Sequence, residues 1–301
     1  MPSSRGSMNV RTVGLMAVGV VAVSMSGPIM ASLAVPALVI AFWRNGLATA
    51  LIAPLALTRQ RSELMSSDRS RLGWFVLSGL CLAVHFGFWV TSLTMTSVAS
   101  STAIVSLQII WVVTWDRLRG TRLPARALLG VAVAFAGALA VSGVDLETSG
   151  RALAGDGFAL VASVAVAAYT VIGGHARRST STTTYTFVVY GTAAVVLLVA
   201  ALLAGQRPVG YDARAWALIG LVTLTSQLLG HSVFNHLLAT TTPMLVSLAI
   251  LLEIPGASLL AAALLRQVPR PAAVLGLLLI LAGMALVIVN RRPTADEVPL
   301  S

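Results

Sequence analysis

Ten apolar runs follow one another along this 301-residue chain with only short polar joints between them. They cover about 12–31, 36–58, 72–94, 97–116, 126–144, 155–175, 184–205, 214–238, 243–265 and 272–290. Each is close to the roughly 17–25 residues that a helix needs to cross a bilayer. No ten-residue alternating pattern of the kind a membrane β-barrel requires is present. Charge agrees: 57% of residues are hydrophobic and only 10% are charged, against about 25% charged in soluble domains. A soluble fold of this size would lack the polar side chains to cover its surface. The expected fold class is an all-α integral membrane protein of ten transmembrane helices.

The net charge of +10 and pI of about 11.4 invite a nucleic-acid reading. The placement of the charge excludes it. All twenty basic residues are Arg, and they sit at the ends of apolar runs rather than in one basic stripe. That is how a membrane protein meets lipid headgroups and sets its orientation. Ten spans put both termini on one side. Fourteen arginines then fall on that side and five (Arg151, Arg207, Arg214, Arg266 and Arg270) on the other, with Arg44 inside a span. The bias predicts cytoplasmic termini. It weakens in the second half, where the inner loop around Thr240 has no Arg. The stretch from Arg5 to Ala34 loosely resembles a signal peptide, but it is long for the apolar region of one. We expect it to persist as the first helix. The lone cysteine, Cys81, offers neither a disulfide nor a metal-ligand spacing.

An internal repeat runs at an offset of about 145. Arg44-Asn45-Gly46 falls on Val189-Tyr190-Gly191, Ser97 to Gln108 falls on Thr242 to Glu253, and Pro124 falls on Pro269. The chain therefore divides into a tail (1–10), a first five-helix repeat (11–144), an outer linker (145–154), a second repeat (155–291) and a tail (292–301). Five spans is an odd number, so the second repeat must enter the membrane in the opposite sense. Inverted repeats of this kind are a transporter architecture. Gly130 and Gly137 lie two turns apart, as do Gly276 and Gly283, and Ala132, Ala136 and Ala140 form a row at spacing four. Small faces let helices approach closely in lipid. Packing of the fifth and tenth helices within the chain is expected, with a homodimer contact as the second reading.

Ionisable groups inside a span are costly and so point to function or pairing. Nine of the ten acids fall in loops, tails or span ends, and only Glu253 lies mid-span, with Pro255 two residues on. A carboxyl beside a proline bend at mid-depth reads as a binding site. The alternative is a neutral Glu bonded structurally to a neighbouring helix. Arg44 is the mid-span base, and it must snorkel or pair with a substrate anion, a backbone carbonyl or Glu253. Gln227, His231 and Asn235, at spacing four, form one polar stripe that must face protein or water. His85 and Trp89 lie one turn apart on the third span. Gln108, Trp111 and Trp115 lie on the fourth. Tyr190 is placed by the repeat. Enzyme motifs are missing: there is no HExxH, no GxSxG and no P-loop lysine. No cofactor or metal is expected.

These residues resemble the EamA-type members of the drug/metabolite transporter superfamily. Ala41-Phe42-Trp43-Arg44 with Gly46, the run Leu93 to Leu107, Gly120-Thr121-Arg122-Leu123 and Leu252-Glu253-Ile254-Pro255 carry the resemblance, which covers residues 11–291. The chain departs at Gln108, where the family has a proline, and at Thr121 and Gln267, which replace span-end glutamates. The resemblance implies export or uptake of small organic solutes, by proton antiport or facilitated exchange; the expected function is a multi-pass exporter of small organic metabolites or drugs in the bacterial inner membrane, working by alternating access. It also implies a central cavity lined by spans three, four, eight and nine among others. The residues expected there are His85, Trp89, Gln108, Trp111, His231, Asn235 and Glu253, with Arg44 and Tyr190. The partners implied are an organic solute, a coupled proton and membrane lipid. The competing readings are a non-transporting membrane scaffold and an integral-membrane enzyme acting on a lipid.

Overall fold

The computed structural model describes residues 10–121, 124–143, 149–267 and 271–289. Arg5, Arg122, Leu123, Pro269 and Arg270, named above, lie outside the described residues. The described chain is helical: α1 Val10–Ala31, α2 Ala37–Thr58, α3 Arg69–Ser92, α4 Val98–Leu118, α5 Ala125–Gly143, α6 Gly150–Ala176, α7 Thr182–Leu203, α8 Ala213–Leu237, α9 Pro243–Leu265 and α10 Pro271–Val289. A short helix, Arg61–Ser66, joins α2 to α3. Eight of these, α1 to α4 and α6 to α9, are long and apolar enough to cross a membrane. The expected fifth and tenth spans exist as helices of 19 residues each, Ala125–Gly143 and Pro271–Val289.

Helix starts are set by side-chain caps. Ser97, Ser149, Ser181, Asp212 and Thr242 each accept a hydrogen bond from the backbone N–H three residues on. Such caps satisfy donors that the first turn leaves open. Ser97 and Thr242 are counterparts at the offset of 145, so the repeat extends to the capping of α4 and α9.

Packing exchanges helices between the halves. α1 lies against α8 and α9 of the second half, whereas α6 lies against α3 and α4 of the first. α2 packs on α7, and α5 on α10. The contacts of α1 with the second half and of α6 with the first are thus counterparts. The α5–α10 seam is the closest. A Cβ added at Gly130 would stand 2.6 Å from the Gly283 carbonyl oxygen, and one at Gly137 would stand 2.5 Å from that of Gly276. The glycine pairs pack within the chain, as expected. The alanine row does not take part: Ala132 and Ala136 are exposed, and Ala134 is the buried residue between the two glycines.

Candidate functional site

Four of the helices are interrupted at mid-length, and the interruptions meet. α1 breaks at Met25 between Val10–Ser24 and Ser26–Ala31. α4 breaks between Val98–Val105 and Gln108–Leu118. α8 carries a π-helical stretch, Thr223–His231. α9 breaks between Pro243–Ile250 and Glu253–Leu265. Two breaks have a proline cause. Pro28 and Pro255 lack the N–H that would bond back to Ser24 and Leu251, and their rings crowd those carbonyls. Around α9's break the chain tightens into i→i+3 bonds, Leu251 N–H to Leu248 O at 3.2 Å and Leu252 N–H to Ala249 O at 3.1 Å. The break in α4 has no proline; Leu107 N–H reaches Ile104 O at 3.1 Å and Ile110 N–H reaches Leu107 O at 2.9 Å. Irregular backbone at membrane depth is tolerated where protein or a cavity receives it.

A cavity lies where the breaks converge. α1 contributes Val23 and Ser26, α3 His85 and Trp89, α4 Thr102, Val105 and Gln108, α6 Val166, α8 His231 and Phe234, and α9 Ile250 and Glu253. It is narrow, with room for about one water. Gln108 and Glu253 are counterparts in the repeat, and each is the first residue after its break. Five expected residues therefore converge: His85, Trp89, Gln108, His231 and Glu253. Glu253 is buried and bends into the cavity rather than bonding to a neighbouring helix; its carboxylate has no hydrogen-bond partner among the described residues. Trp89 Nε1 and Gln108 Oε1 are also buried without a partner among those residues. The His85 ring stacks on Trp89 at 5.6 Å and its Nδ1 meets the Ala162 carbonyl at 3.1 Å. His231 stands edge-on to Phe86 at 5.3 Å.

The other four expected residues lie around this core. Arg44 is fully buried, so it does not snorkel. Its hydrogen bonds among the described residues go to side chains of α8 and α1. Nε donates to Gln227 Oε1 at 2.7 Å, Nη1 to Ser26 Oγ at 2.9 Å, and the guanidinium lies 4.1 Å over the Phe86 ring. Nη2 has no hydrogen-bond partner among the described residues. Gln227 in turn donates to Asn45 Oδ1 at 3.2 Å. Asn235 and Tyr190 belong to a second cluster: Tyr169 OH donates to Asn235 Oδ1 at 2.8 Å, and Tyr190 OH meets Asn235 Nδ2 at 3.3 Å and Ser232 Oγ at 3.1 Å. Of the stripe, Gln227 and Asn235 bond to protein side chains, and His231 between them faces the cavity. Trp111 is 38% exposed, donates to Ser163 Oγ at 2.9 Å and does not line the cavity.

Sequence reasoning passed over Ser26, Thr102, Phe86 and Tyr169. Ser26-Gly27-Pro28 in the middle of an apolar run was the available signal for the first. Both ends of the bundle are tied across the halves. At one end, Glu63 of the short helix accepts from Ser181 N–H at 2.7 Å, Thr184 Oγ1 at 2.6 Å and Ser181 Oγ. Partial burial works against the Glu63 charge, but these bonds, with Arg177 nearby, hold its carboxyl below the usual carboxylate range. Arg177 Nε donates to the Asn235 carbonyl at 2.9 Å. At the other end, Trp43 Nε1 donates to Pro208 O at 2.6 Å, Ser100 Oγ to Asp156 Oδ1 at 2.9 Å, and Val98 N–H to Gln267 Oε1 at 3.2 Å.

Known proteins place this arrangement. A solved structure described as "Crystal structure of protein" has 16% identity to this chain, with a TM-score of 0.75 over 95% of this chain and 99% of its own. That likeness shows the fold alone. No curated protein matches the sequence. The model of the EamA-like transporter family matches twice, over residues 11–143 and 153–289. With both halves of the bundle matched, the chain belongs to the EamA-like transporter family.

Proposed function

We propose that this protein is a secondary transporter of small organic metabolites or drugs, an exporter of the bacterial inner membrane. In this reading all ten helices cross the membrane, the halves are inverted repeats and both termini are cytoplasmic. Solute binds in the central cavity and reaches either side by alternating access. One observation carries the reading: four interrupted helices from both halves enclose a cavity onto which Glu253 opens, and Trp89 Nε1, Thr102 Oγ1 and Gln108 Oε1 in its lining have no hydrogen-bond partner among the described residues. Buried polar groups are ordinarily satisfied, so unsatisfied ones facing a cavity suit a ligand. Discontinuous helices at the midplane are the usual way transporters present backbone and side-chain groups to a solute. Glu253 binds a cationic group or takes the coupled proton, and Trp89 and His85 offer flat faces to the solute's apolar body. Arg44, held by Gln227 and Ser26, stands behind the cavity wall.

The test is flux into proteoliposomes of purified protein under an imposed pH gradient, using a panel of organic cations and zwitterions. Glu253→Gln is expected to lower transport about tenfold or more, the scale of one lost charge-assisted contact, and to flatten its pH dependence. Unchanged flux with unchanged pH dependence removes Glu253 from the mechanism. A wild-type protein that moves no member of the panel counts against the transport reading itself.

A further inference from the structure

One part of the charge distribution lies apart from the central cavity. Arg207, Arg214 and Arg266 crowd the α7–α8 and α9 ends of the bundle, on the side where arginines are otherwise few. The acid beside them, Asp212, is engaged as the α8 cap, accepting from Ala215 N–H at 2.8 Å. Arg214 is exposed and makes no hydrogen bond or ion pair among the described residues. Below it runs a groove between α1, α8 and α9, with Met25, Ile29, Leu218, Leu221 and Leu264 among its lining. Its one hydroxyl, Ser32 Oγ, is already bonded to the Ile29 carbonyl at 2.7 Å. The groove therefore offers a ligand one free polar group, the Arg214 guanidinium at its mouth. From Arg214 to Leu221 the helix rises about 10 Å, roughly a third of the hydrocarbon core. Its floor is Met25, the break residue of α1, whose neighbours Val23 and Ser26 face the central cavity.

We propose that this groove is a binding site for an anionic phospholipid of the leaflet at that end of the bundle. The upper methylenes of one acyl chain lie along Leu218, Leu221 and Leu264, and the phosphate pairs with Arg214. The charge at the mouth selects an anionic headgroup, and the apolar walls select a chain rather than a free phosphate. The site stands apart from the transport reading and needs no flux to be tested.

Native mass spectrometry of the purified full chain, titrated with phosphatidylglycerol or phosphatidylcholine of identical acyl chains, is the experiment. The wild type should retain one phosphatidylglycerol with about fivefold preference, the value of one arginine near an anionic surface. Arg214→Gln should erase the preference and Arg207→Gln should keep it. Leu218→Trp fills the groove and should reduce retention of both lipids; Leu221→Phe replaces it where that variant is not monodisperse. Equal retention of the two lipids by the wild type overturns the proposal. So does a preference that survives Arg214→Gln, or full retention by the groove-filling variants.

Discussion

Gln227→Leu would leave the buried Arg44 guanidinium without its Nε partner, while Ser26 and the Phe86 face remain. A hydrogen bond to a charged group is worth about 1.5–3 kcal/mol, and a buried charge deprived of one bears that cost in full. The variant should unfold in detergent at a correspondingly lower temperature, whereas Gln227→Glu, which keeps an acceptor in place, should not. Equal melting of the leucine variant and the wild type would mean that Arg44 is held by other groups. How far such residues can be read from sequence differs case by case. Glu253 stood out as the lone mid-span acid, and Gln108 followed from the repeat. The partner of Arg44 was not legible, because it depends on the π-helical stretch that turns Gln227 toward α2. Trp111 was drawn toward the cavity by its spacing from Gln108. Three residues on an α-helix leave about 60° between the two side chains, and that angle carries Trp111 past the cavity to Ser163.

The α5–α10 seam is where a single atom should matter most among the elements. Gly130→Val places a branched side chain against the Gly283 carbonyl and the Val287 backbone. Overpacking of this kind costs about 1–3 kcal/mol, and a lower midpoint in thermal unfolding should report it. Ala132→Val, on the exposed face of the same helix, should stay within about 0.5 kcal/mol of the wild type. A reversed order of the two would move the packing face to the alanine row. The glycine pairs were readable because only glycine permits that approach. The alanine row misled because small residues occur on lipid faces too. The helix breaks at Met25 and Leu251 follow the prolines three and four residues beyond them. The break in α4 and the π stretch in α8 carry no such mark, and tertiary packing decides them.

For the molecule as a whole, the tie through Glu63 joins the connection between α2 and α3 to the start of α7. Its carboxyl titrates below the ordinary 4.5 in the folded chain. The stabilisation it gives is therefore complete above about pH 4.5 and is lost as pH falls through the lowered value. Glu63→Gln should remove about 1 kcal/mol at neutral pH, allowing for its partial exposure. The variant and the wild type should converge in acid. A constant difference down to pH 3 would show that the carboxylate charge contributes nothing. The exchange of helices between halves also dictates the order of biosynthesis. α1 has its principal neighbours in α8 and α9, roughly 200 residues downstream, and at about 5–20 residues per second the ribosome needs some 10–40 s to deliver them. Through that interval the nascent first helix, with Ser24, Ser26 and a broken backbone at its centre, has no permanent company in the bilayer. The insertion machinery or a provisional neighbour must shelter it, and neither half can finish folding before the whole chain has been made.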